Sequence, residues 1–189
     1  MTWAPTEEHS GPDLAVLILP DSEIGEITAR KSFFDISVNR EEKLADSLAF
    51  GGLWAVAGSP KHYERALGPS HGFSVVTEHP CIVFYTGLRD RYDHGDFDFL
   101  HLGVQGDYSD KIPDSFRGMS GGGVWKVCVL RERMTLAWSV DFMETVLAGV
   151  VFYETRSNGK PDGLRCQGGK SIYNRVFEKV RERLLRDGG

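Results

Sequence analysis

Apolar positions along this chain come in short runs separated by turn-forming residues, and those runs set the expected elements. Residues 14–19 (LAVLIL) form a continuous apolar run between Asp13 and Pro20, with the length and flanks of a buried strand. Residues 21–50 are mostly polar and predict only a helical turn or two over 41–48. Shorter β-like runs follow at 53–57, 73–76 and 82–86, each bounded by Gly, Pro or Ser. The stretch 89–98 (RDRYDHGDFD) is dense in charge and reads as an exposed loop or hairpin tip. Three more strands are predicted at 123–130, 135–140 and 146–153, and 155–163 (TRSNGKPDG) is a loop by composition.

One pattern is helical. Tyr173, Val176, Phe177, Val180 and Leu184 recur on one face, while Lys179, Arg181, Arg183 and Arg186 crowd the end where the helix dipole favours cations. Many short strands closed by a terminal helix predict a mainly β barrel or sandwich.

Composition narrows the classes. A chain of 189 residues with 41% hydrophobic content can form one domain, or two small subdomains sharing a cleft. The 22 glycines and 8 prolines suit a turn-rich β protein. A net charge of -5 argues against nucleic acid as partner, because phosphate binding needs a basic face. No apolar run is long enough to span a bilayer as a helix, and MTWAPTEEHSGPD lacks the basic and apolar regions of a signal peptide. Cys81, Cys128 and Cys166 show no CxxC spacing and read as reduced core thiols of a cytoplasmic protein. No cofactor is implied.

The sharpest chemical signal is DSFRGMSGGGVW at 114–125. A serine hydroxyl is a weak nucleophile that needs a base, and the intermediate it forms needs N–H donors aimed at the oxyanion. Gly118, two residues before Ser120, lets the backbone turn so that the N–H groups of Gly118 and Ser120 can serve one point. Gly121 and Gly122 permit close backbone approach behind the serine. A glycine-rich hairpin turn without chemistry would also account for these residues.

That segment resembles the nucleophile segment of the trypsin/chymotrypsin family, and three further stretches are similar in the same order. LAGVV at 147–151 resembles the strand lining the substrate cleft, and SIYNRV at 171–176 resembles the closing strand and helix. DLAVL at 13–17 resembles the segment carrying the aspartate. The resemblance implies a chymotrypsin-like fold in which residues 1–60 are a remnant of the first barrel and 61–189 a complete second barrel. It implies Ser120 as nucleophile, Gly118 and Ser120 as oxyanion donors, and Asp13 as the residue orienting a histidine. Gly149, Val150 and Val151 would line the cleft, and Asp114 would occupy the pocket floor that pairs with Lys or Arg side chains. Residues such as Pro113-Asp114-Ser115 are also ordinary turn chemistry. The implied partner is a peptide or protein substrate.

The chain departs from the family in specific ways. Only twelve residues precede Asp13, and His9 is too near it to be the matching histidine, so the usual base is missing. Met119 replaces the acidic residue of members activated by propeptide cleavage. Glu154 stands near a position where the family often has glycine, which would narrow the pocket. His62, His71, His79, His94 and His101 lie between Asp13 and Ser120, and each reads more simply as a surface or hydrogen-bonded histidine. The set His94, Asp96, Asp98 and His101 invites a metal reading, but its parity favours a solvated charged loop. Three functions follow: a serine hydrolase whose base comes from an unusual histidine, another chain or sequence beyond this one, an inactive peptidase-like binding or regulatory module, or an unrelated β-rich binding protein. An incomplete first barrel would also leave apolar surface for self-association or a partner chain.

Overall fold

The computed structural model describes residues 2–3, 14–29, 33–48, 52–67, 76–78, 81–104, 113–129 and 143–187. The described chain is mainly β with a C-terminal helix. In order, the elements are β1 (Thr2–Trp3), β2 (Leu14–Ala15), α1 (Asp21–Thr28), α2 (Arg40–Leu48), β3 (Leu53–Gly58), β4 (Arg65–Leu67) and β5 (Val76–Glu78). Then come β6 (Ile82–His94), β7 (Phe97–Gly103), β8 (Gly123–Val129), β9 (Met143–Ser157), β10 (Lys160–Gly168), a π-helical segment Ser171–Val176 and α3 (Phe177–Asp187).

Six strands pair antiparallel in a closed ring, β10-β7-β6-β3-β8-β9, which is not a regular barrel. Register shifts interrupt the ladders at Leu88/Asp90, Val124/Trp125 and Arg165/Cys166. An extra residue on one strand raises local bend and twist, which a small closed sheet requires. β3 belongs to this ring through β6 and β8, although residues 53–58 fall within the stretch assigned from sequence to the first-barrel remnant.

Alternate residues of the ring strands make the main core. Trp54 and Val56, Leu100 and Leu102, and Leu164 and Cys166 are buried with Val124, Ala148 and Val151. A second cluster (Val146, Ile172 and Tyr173, with Phe34, Ile36 and Leu44) joins β9 to α2 and the C-terminal helix. No basic residue in its own last turn compensates the end of α2. The ring supplies the cations instead. Buried Lys126 donates from Nζ to the Asp46 carbonyl, and Arg91 donates to Leu48 O at 2.6 Å and Ser47 O at 2.9 Å. These carbonyls have no partner within the helix, and positive charge is favoured there.

Several sequence expectations need correction. The run at 14–19 is strand only at Leu14–Ala15, and Leu17 and Ile18 are 80% and 57% exposed. The charged stretch at 89–98 is not a loop. It forms the paired ends of β6 and β7 around a turn at Gly95 and Asp96, and Asp98 is 1% exposed. The stretch at 155–163 is likewise the β9–β10 hairpin, turning at Asn158 and Gly159. Ser171–Val176 is helical, so the last strand closes at Gly168. Cys81 is exposed rather than in the core, while Cys166 is buried, and both are free thiols. α1 forms within the polar stretch 21–50, whose pattern predicts helix only over 41–48. Asp13, His9, His71, His79, the predicted strand at 135–140 and residues 73–75 lie outside the described residues, as does the Cys128 side chain. No helix among the described residues is long and apolar enough to cross a membrane.

Candidate functional site

The segment ahead of β8 folds as consecutive tight turns. Met119 N donates to Phe116 O at 2.9 Å, and Gly122 N donates to Met119 O at 2.8 Å. Gly118 has φ +96 and Gly121 φ +85, the left-handed region open to glycine at little cost. Gly118 is also pressed against the backbone of 59–61, where an added Cβ would lie 2.8 Å from Lys61 N and 3.0 Å from Ser59 O. Lys61 N donates to Arg117 O at 2.7 Å, which holds the turn to that segment.

Apolar anchors fix the loop from beneath. Phe116 is 2% exposed and its ring lies 5.2 Å from that of Phe84. Met119 is 1% exposed, and its terminal atoms pack where Gly58 lacks a side chain. A buried thioether cannot form a charge-based activation switch.

β9 holds Ser120 from the side. Gly121 N donates to Val151 O at 2.9 Å, and Val151 N donates to Gly122 O at 2.9 Å. The exposed Ser120 hydroxyl donates to Phe152 O at 3.0 Å. The N–H groups of Gly118 and Ser120 have no hydrogen-bond partner among the described residues.

Ser120 borders two clefts. One, of about 580 Å³, is lined by Ser115 to Gly118 on one side and by Val151 to Glu154 and Arg156 on the other. The second, about 440 Å³, is mostly apolar and is lined by Leu14, Ala15, Val150, Val151, Ile172 and Val176 together with Ser120 and Gly121. Leu14, the residue after Asp13, therefore reaches the serine's second side.

The larger cleft is tied across by Glu154. Its carboxylate accepts from Phe116 N, from Ser115 Oγ at 3.1 Å and from Arg156 Nε. Arg156 also donates to Gly159 O at 2.8 Å and Asp114 O at 3.3 Å, so one guanidinium joins β9, the β9–β10 turn and the start of the serine loop.

Of the residues singled out from sequence, Gly118, Ser120 and Val151 come together at the larger cleft, with Val150 and Val151 at the second. Asp114 does not form a pocket floor; it is exposed and absent from both linings. Gly149 is buried against the Gln167 carbonyl, within the wall rather than on its surface. Among the described residues no histidine lines either cleft. His62 and His94 are exposed, and His101 Nε2 lies 3.3 Å from Thr155 Oγ1. The set His94, Asp96, Asp98 and His101 is dispersed: Asp98 binds the C-terminal helix, Asp96 pairs with Arg175, and no metal-holding group occurs among the described residues. Phe152 and Arg156 carry no motif, so sequence gave no signal for their roles.

Comparison of the chain with protein-family models, curated proteins and solved structures returned no match.

Proposed function

We propose that this chain has the chymotrypsin-like fold and is a serine-type peptidase-fold protein, acting in the cytoplasm on peptide or protein substrates with Ser120 at the nucleophile position. The observation that carries the reading is the serine turn. An exposed hydroxyl follows a left-handed glycine, and among the described residues the N–H groups of Gly118 and Ser120, at a cleft wall, have no hydrogen-bond partner. Attack by Oγ on an amide carbon would place negative charge on the carbonyl oxygen, which two such N–H donors can stabilise. The order of elements supports the same reading: serine turn, β8, the cleft strand β9, β10 and the terminal helix. Asp13 remains the proposed orienting carboxylate.

A second reading, a peptidase-like binding or regulatory module without turnover, is favoured by one feature. The Ser120 hydroxyl bonds to the Phe152 carbonyl, and no histidine lines either cleft among the described residues. Self-association or a partner chain is part of both readings, supported by the exposed Leu17 and Ile18.

Treatment with a serine-directed phosphonate, followed by peptide mapping, separates the two. The peptidase reading expects label at Ser120, abolished in Ser120→Ala and varying with pH near an ordinary histidine pKa of about 6.5. Absence of label across the pH range supports the inactive module.

A further inference from the structure

We infer that the larger cleft beside Ser120 takes an acidic side chain of a peptide, received by Arg117; this rests on the reading above and names its substrate class. Three charged residues line that cleft: Arg117, Glu154 and Arg156. Glu154 is committed. Its side chain is 14% exposed, and its carboxylate is held by two donors from the serine loop and by Arg156. Arg156 is committed as well, through Glu154 and the carbonyls of Gly159 and Asp114.

Arg117 differs from both. It is exposed, it directly precedes Gly118, and its guanidinium has no hydrogen bond or ion pair among the described residues. Its backbone alone is engaged, with Ser115 Oγ and Lys61 N. Asp114, the carboxylate that could have favoured basic substrates, stands outside the lining.

The cleft therefore carries two guanidiniums against one carboxylate, on a chain whose net charge is -5. A lysine or arginine side chain entering it would meet a carboxylate already surrounded by donors, beside uncompensated positive charge. A carboxylate side chain would meet a free planar fork suited to bidentate hydrogen bonding. Tyr153, 59% exposed in the same lining, adds an aromatic face for the aliphatic stem.

The test uses the full chain carrying Ser120→Ala, so that nothing is cleaved, titrated with three capped tripeptides differing only in a central Glu, Gln or Lys. Binding is read from amide shifts at low and high salt. The Glu peptide should bind about tenfold tighter than Gln, with Lys weakest, a difference that one charge-assisted hydrogen bond supplies. Added salt should shrink the gap, and Arg117→Glu, placed at an exposed position, should reverse the order. Equal binding of Glu and Lys, a preference that survives Arg117→Glu, or no binding of any peptide overturns the inference. Phosphonate labelling reports separately on the reading beneath it. Label at Ser120 without a charge preference removes only the substrate class, whereas a charge preference without label retains the acidic ligand and removes turnover.

Discussion

Ser120 Oγ donates its hydrogen to the carbonyl oxygen of Phe152, 3.0 Å away on β9. The same short stretch of β9 exchanges two backbone hydrogen bonds with Gly121 and Gly122, so the exposed serine is held on the side facing β9. The hydroxyl's proton rests on a neutral acceptor. A base that drew this proton would have to compete with that carbonyl.

Gly118 should be the least replaceable residue of the loop. Alanine there must adopt φ +96 and bring Cβ to 2.8 Å from Lys61 N, so Gly118→Ala should cost about 1–3 kcal/mol. Denaturant unfolding measures this cost. A stability unchanged within error would show that the turn relaxes without the left-handed conformation.

Asp98 should matter for stability rather than for chemistry. Its carboxylate accepts from Ser171 N at 2.7 Å, Ser171 Oγ at 2.8 Å and Lys170 N at 3.3 Å, while Asp98 N donates to Ser171 Oγ at 2.9 Å. A strand residue thus caps the N-terminus of the C-terminal helix. Asp98→Ala strands buried donors, at about 1–3 kcal/mol, and removes a cap worth about 1 kcal/mol. Thermal unfolding should move down by roughly 5–12 °C, with Asp98→Asn intermediate. A variant melting with the native chain would contradict the cap.

Asp162 sets an expectation for acid. Hydrogen bonds from Thr155 and then Arg89 hold its carboxyl below the ordinary 3.8, with the Arg89 and His101 charges acting in the same direction. Because the folded value is depressed, its contribution to stability is present above pH 3.8 and lost as pH falls through the lower folded value. A carboxyl-carbon NMR titration should give a midpoint below 3.8, returning towards it in Thr155→Val. A midpoint of 3.8 in the native chain would contradict the hydrogen bond from Thr155 Oγ1.

The elements that sequence located best were those whose own residues specify them. The run at 53–57 became β3, the polar stretch at 41–48 became part of α2, and the apolar stripe from Tyr173 became the terminal helix. Even that stripe is divided, since Tyr173 is fully buried while Leu184 is 59% exposed. The errors at 14–19, 89–98 and 155–163 share one cause. A strand gains hydrogen bonds and burial from partners distant in the chain, so a polar segment can pair when its neighbours permit it, and an apolar one can remain exposed when they do not. Asp98 is the clearest case, a charged residue buried because a helix N-terminus 73 positions away needs its acceptor atoms.

By itself, the sequence determined the mainly β character, the terminal helix and the glycine-flanked turn that presents Ser120, because propensity and φ > 0 are properties of local residues. Only the tertiary structure decided what surrounds that serine. It placed Phe152 O against the hydroxyl, closed Glu154 onto the serine loop, turned Asp114 out of the cleft and left the Arg117 guanidinium without a partner among the described residues. Those outcomes depend on which strands meet and at what register, and hydrogen bonds between residues some forty positions apart leave no periodic trace in the chain.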